Sequence, residues 1–125
     1  MMIWIILITI ALIIAMACRS LVHTLLHHYN QFAEKFKIKN RQWWNPAVSW
    51  TNKYNSDGTR NKKIIQFSDA FHFFNMIELG GYVFAITLGI WFRPELTWWW
   101  FLIIFGVIGL VIILTFNLFY DKIWR

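Results

Sequence analysis

A chain of 125 residues with 58% hydrophobic and 14% charged residues, including 9 Trp and 12 Phe, has too little polar surface for a water-soluble domain. Its net charge of +6 would suit nucleic acid in a soluble protein, but the charges are gathered between apolar runs, and nucleic acid is set aside as a partner. The one cysteine, Cys18, excludes an internal disulfide framework and any Cys-rich metal site.

The first run, Met1 to Cys18, carries no charge. A helix rises ~1.5 Å per residue, so about 20 apolar residues cross a hydrocarbon core ~30 Å thick. Leu21, Val22, Leu25 and Leu26 extend the apolar stripe beyond Arg19, which predicts a first membrane helix over about residues 2–28. Ala15-Met16-Ala17 before Cys18 has the small-x-small form of a cleavage site. No basic segment precedes it, and the residue three before Cys18 is Ala where a lipoprotein box carries Leu, so the run reads as a retained anchor.

A polar, Trp-rich cap follows over about residues 30–68. Its opening segment, Lys35 to Arg41, sets lysines around Phe36 and Ile38. Such lysines attract anionic headgroups, at about 1 kcal/mol each. Pro46 pushes Asn45 out of the helical region, and Ser56-Asp57-Gly58 has the residue types of a turn. Asp69 or Ser68 is placed to cap a second membrane helix over about 69–92. Pro94 ends it in a tight hairpin, and a third membrane helix follows over about 97–120. The fold class expected is therefore all-α integral membrane: three transmembrane helices in one membrane domain, with the cap between helices one and two.

Nine of the 12 basic residues lie between the first and second runs, from Arg19 to Lys63, and the hairpin between the second and third carries only Arg93. Basic short loops stay in the cytoplasm, which predicts an N-terminus outside, a cytoplasmic cap, an external hairpin and a cytoplasmic C-terminus in a bacterial-type inner membrane. Trp4, Trp91 and Trp98 to Trp100 would mark the outer interface and Trp124 the inner one. Gly81, Ala85 and Gly89 recur every four residues, with Gly106 and Gly109 as counterparts. That spacing predicts close packing of helices two and three, ahead of a seam between two copies of the chain.

The side chains able to carry chemistry concentrate at one depth. His23 and His27 share a face near the end of the first helix beside His28, while Asp69 and His72 open the second. Neighbouring helices would bring His28, Asp69 and His72 together, as an acid–base set or as ligands for a divalent metal, with His23 and His27 as alternative ligands. The competing reading makes the histidines ordinary interfacial residues and Asp69 only a helix cap. Glu78 lies ~13 Å further along the helix, near the membrane centre, with Asn75 and Tyr82 on its face. A carboxylate there must be buried against protein, and no second charge is apparent for it, so a neutral hydrogen-bonded Glu is favoured over a proton relay.

The central stretch resembles a family of small uncharacterised bacterial and phage-encoded membrane proteins. The likeness rests on His28-Tyr29, on a W-N-P-x-x-S-W-x-N-K-Y block running from Trp44 to Tyr54, and on a D-x-W-H segment here reading Asp69-Ala70-Phe71-His72. Phe71 replaces the family's Trp, and Asn75 stands where Lys is frequent. The resemblance implies that His28, rather than His23 or His27, belongs with Asp69 and His72. It brings no activity with it. The reading favoured is an accessory or interaction subunit whose cap docks a membrane partner, the lipid surface or a second copy. Trp44, Trp50, Asn52, Lys53 and Tyr54 would bind the headgroup or partner. A minimal enzyme acting on a lipid or lipid-linked group is the alternative, and a phage-type pore or holin the third.

Overall fold

Long apolar runs fold as helices in lipid because only there are their backbone groups satisfied from within. The computed structural model describes residues 2–61, 67–91 and 98–124. In chain order the helices are α1 (Met2–His27), α2 (Tyr29–Lys35), α3 (Arg41–Trp44) and α4 (Pro46–Ser49). A 3₁₀ turn (Trp50–Lys53) then leads through the rest of the cap to α5 (Ala70–Trp91), α6 (Trp98–Asn117) and a π-helical turn (Leu118–Trp124). The chain is mostly helical, and three stretches, Ile3–His27, Ala70–Gly89 and Gly106–Trp124, are long and apolar enough to cross a membrane. Their outer faces are apolar as well: Ile6, Ile10, Leu79, Phe84, Leu110 and Ile113 are all exposed. The hairpin from Arg93 to Thr97 lies outside the described residues, as do the side chains of Trp91 and Trp98 to Trp100.

The first helix ends at His27, next to the expected residue 28. It breaks at His28 (φ −134°, ψ 28°), and the carbonyls of Leu25, Leu26 and His27 are not taken up by the N–H groups four residues on. Beyond the break, Tyr29 and Phe32 of α2 join Leu21, Leu25 and Ala70 in a core under the cap. Leu21, Leu25, Tyr29 and Phe32 keep the spacing of one helical face across it. A Schellman turn closes α2, with Lys37 N–H donating to Glu34 O (3.2 Å) and Ile38 N–H to Ala33 O (2.9 Å). Lys37 itself takes a positive φ of 52° where glycine is usual.

The cap is pinned locally. Asn40 caps α3 by accepting from Trp43 N–H (3.1 Å), and Asn45 caps α4 by accepting from Ala47 N–H (3.0 Å). Asn45 is extended, as the following proline requires. At the Ser56-Asp57-Gly58 turn, Gly58 has φ 81°, and the Thr59 hydroxyl and N–H both donate to Asp57 Oδ1, at 2.6 and 2.9 Å. These bonds, the hydroxyl's first, hold the Asp57 carboxyl below its ordinary pKa. An isolated bridge between Tyr54 and Arg60 closes the loop.

α1 is the central helix. It packs along α5 over its greatest length and against α6 and the π-helical turn over less. The close approach is between α1 and α5, which corrects the expected seam between helices two and three. A Cβ on Gly81 would lie 2.9 Å from Ala15 Cβ and 3.0 Å from Ala11 O, whereas Gly89, Gly106 and Gly109 have nothing within 4 Å. Ala11, Ala15, Gly81 and Ala85 therefore form the small-residue contact, two from each helix.

The C-terminal turn returns to α1. Trp124 Nε1 donates to Ser20 Oγ (2.9 Å) and to Ala17 O (3.3 Å), and its ring lies against Phe32, Phe36 and Phe119.

Candidate functional site

α5 starts where Asp69 stops the incoming chain. Its Oδ1 accepts the His72 backbone N–H at 2.9 Å, which makes Asp69 the helix cap. The same carboxylate lies 2.8 and 2.9 Å from His72 Nδ1 through its two oxygens. Ser68 Oγ donates to its other oxygen at 3.2 Å, and Asp69 is only 1% exposed, so its charge is held among donors rather than in water.

On the far side of the ring, His72 Nε2 is 3.2 Å from Lys53 Nζ. An ammonium can only donate, so Nε2 carries the lone pair and Nδ1 the proton given to Asp69. The result is a line of three groups, Lys53, His72 and Asp69, running from the cap surface into the buried start of α5. The His72 side chain is 30% exposed and Asp69 is enclosed, which gives the line an outer and an inner end.

Asn52 is the second tether between cap and helix. Its Nδ2 donates to Ser68 O (2.7 Å) and Gln42 O (2.9 Å), and its Oδ1 accepts from Gln42 Nε2 (2.8 Å). Gln42 Nε2 also donates to Thr51 Oγ1 at 2.8 Å. Asn52, expected to bind a headgroup, is thus spent on holding the 3₁₀ turn against α5. Trp44 is likewise committed, packed between Phe32 and Phe74 in the core under the cap. Trp50 and Tyr54 remain exposed and meet edge to face at 6.1 Å.

No family model, curated protein or solved structure matches the chain.

The histidines part company. His28 does not join Asp69 and His72: its ring meets Tyr120 at 5.7 Å, and it lines a separate cavity at the α1–α2 break with Asn45 and Pro46. His23 and His27 lie 5.4 Å apart, and His23 also packs edge-on against Phe116 and Tyr120. Among the described residues no three His, Cys, Asp or Glu side chains are grouped so as to hold a metal ion. The break at His28 leaves its ring against Tyr120 of the C-terminal turn.

Glu78 is buried between α1 and α5, and it has a charged neighbour that the sequence did not suggest. Arg19 Nη1 lies 3.5 Å from its Oε1, while its Oε2 has no hydrogen-bond partner among the described residues. Arg19 is half exposed and Glu78 nearly enclosed, so the pair is lopsided. Tyr82 lies one turn further along, its hydroxyl 3.9 Å from Met16 Sδ. Asn75 is half buried on the same helix. Two residues with structural roles escaped the sequence reading, Arg19 and Gln42. Arg19 read only as a topology charge, and Gln42 gave no local signal because its partners come from a different turn.

Proposed function

We propose that the chain is a small polytopic membrane protein that acts as an accessory or interaction subunit, its cap docking on anionic lipid headgroups. One observation carries this reading: Lys53 is held by the His72–Asp69 pair beside the exposed Trp50 and Tyr54. A cation fixed by a buried carboxylate through an imidazole is oriented without being neutralised at contact distance. Only one of its donors is used by His72, and the rest remain for a phosphate oxygen. Flanking aromatics suit headgroup depth, where indole and phenol rings are both apolar and polar. In this reading the cap faces the cytoplasm of a bacterial-type membrane, since that side keeps the basic residues and holds the anionic leaflet.

Lipid retention in native mass spectrometry of the full chain tests it. The protein, purified with equal amounts of phosphatidylglycerol and phosphatidylcholine, should retain the anionic lipid in preference. Lys53→Ala should remove that preference while keeping the helical circular dichroism spectrum. Equal retention of the two lipids by the unaltered chain would overturn the reading.

A second reading, a minimal enzyme on a lipid or lipid-linked group, is favoured by the Asp69–His72 contact alone. A carboxylate that fixes the tautomer of an imidazole is the arrangement of a general base. Lys53 would then have to leave Nε2 before substrate could be deprotonated there.

A further inference from the structure

Beneath the cap, a cavity of about 390 Å³ opens between α1, α5 and the C-terminal turn. Its walls include Cys18 and Leu21 of α1, Phe36 and Trp44 of the cap, Phe74 of α5 and Trp124. We propose that this cavity holds one hydrocarbon tail of a membrane lipid.

Four observations support that occupant. The lining is almost wholly apolar, and of its two indoles Trp124 has its N–H already spent on Ser20 and the Ala17 carbonyl. Water needs two to four polar partners to occupy a buried site, and these walls do not offer them. The volume is also far more than close packing leaves empty: apolar cavities of about 150 Å³ already take up benzene. Finally, Cys18 and Leu21 belong to Ile3–His27, a stretch long and apolar enough to cross a membrane, which would set the cavity beside lipid.

The chemistry of the walls favours a tail over a ring that needs a polar contact to fix it. Aromatic side chains from the cap, from α5 and from the C-terminal turn border the space, so it lies between elements rather than within one. The Trp124 N–H, already engaged, is not free to fix the carbonyl of a quinone or the hydroxyl of a sterol. A flexible chain needs only contact. The inference stands apart from the headgroup reading, because Phe74 and His72 lie two residues apart on α5 and project to different faces.

Photochemical labelling tests it directly. The full chain is reconstituted in phosphatidylcholine vesicles containing a small share of phosphatidylcholine with a mid-tail diazirine, irradiated, digested and mapped by mass spectrometry. Adducts should appear on Leu21 and Trp44 as well as on the outward Leu110 and Ile113. Leu21 is only 4% exposed, so a tail reaches it only from inside the cavity. Cys18→Phe fills the space and should abolish the inner adducts while leaving those on Leu110 and Ile113. Should that variant lose its helical circular dichroism, Ala17→Leu replaces it in the same experiment. Should both unfold, the unaltered chain decides alone. Adducts confined to outward positions would overturn the proposal, and so would inner adducts that persist in a folded, filled variant.

Discussion

Asp69 serves two neighbours with one carboxylate, the first turn of α5 and the His72 ring. Replacing it with alanine removes the cap and leaves Nδ1 without its acceptor at a partly buried position. We expect Asp69→Ala to cost about 2 kcal/mol of stability, a sum of ordinary cap and hydrogen-bond losses. Asp69→Asn keeps an acceptor for the His72 N–H and should cost clearly less. Unfolding in mixed micelles measures both, and equal losses would mean that the cap contributes nothing. Lys37 offers the opposite case. Its left-handed backbone costs an L-residue about 1–2 kcal/mol, so Lys37→Gly should stabilise the chain by roughly 1 kcal/mol after the entropy of glycine is counted. A lower melting temperature for that variant would contradict the strain argument. Asp69 as a cap and the turn at Gly58 were both legible from residue type, since each acts within three residues of its own position. The pairing of Arg19 with Glu78 was not, because the two meet across 59 residues of sequence.

Between elements, helices that share an apolar solvent associate where their backbones can come close. Gly81 is that point on α5. Gly81→Val would place new carbons within contact of Ala15 and the Ala11 carbonyl, and overpacking of this kind costs about 1–3 kcal/mol. The same change at Gly106, which faces open space, should be nearly silent. Equal effects at the two positions, read as loss of folded protein in detergent titration, would show that the α1–α5 contact does not hold the bundle together. The four-residue recurrence from Gly81 to Gly89 identified α5 as a packing helix but not its partner. Alanines serve as well as glycines on the facing side, and Ala11 and Ala15 are hidden within a uniformly apolar run. The three long helices themselves were fully legible, because length and apolarity are what a membrane requires. The end of α1 near residue 28 was legible too, but the short α2 beyond it was not, since no glycine or proline marks the break.

For the molecule as a whole, the unequal spread of basic residues predicts which side the cap occupies. Single cysteines placed in a Cys18→Ser background at Ser56, in the cap, and at Glu95, in the hairpin, test this in intact cells. A membrane-impermeant maleimide should reach position 95 and spare position 56. The reverse pattern would place the cap outside and remove the anionic leaflet as its neighbour. Ser56 is the better choice than Asp57, whose carboxylate is engaged by Thr59. The cap's dependence on distant tethers also explains why their structural roles were not legible in the sequence. Asn52 and Trp44 look like surface residues in a polar stretch, yet one spans the gap to Ser68 and the other fills the core.

The bond from Trp124 to Ser20 gives the assembly an order in time. The two residues are 104 positions apart, so the serine reaches the membrane long before its partner leaves the ribosome. Until then α1 and α5 can settle against each other at Gly81, but the side of α1 bearing Ala17 and Ser20 stays open. The turn over Leu118–Trp124 then closes that side of α1 like a latch, through a single indole.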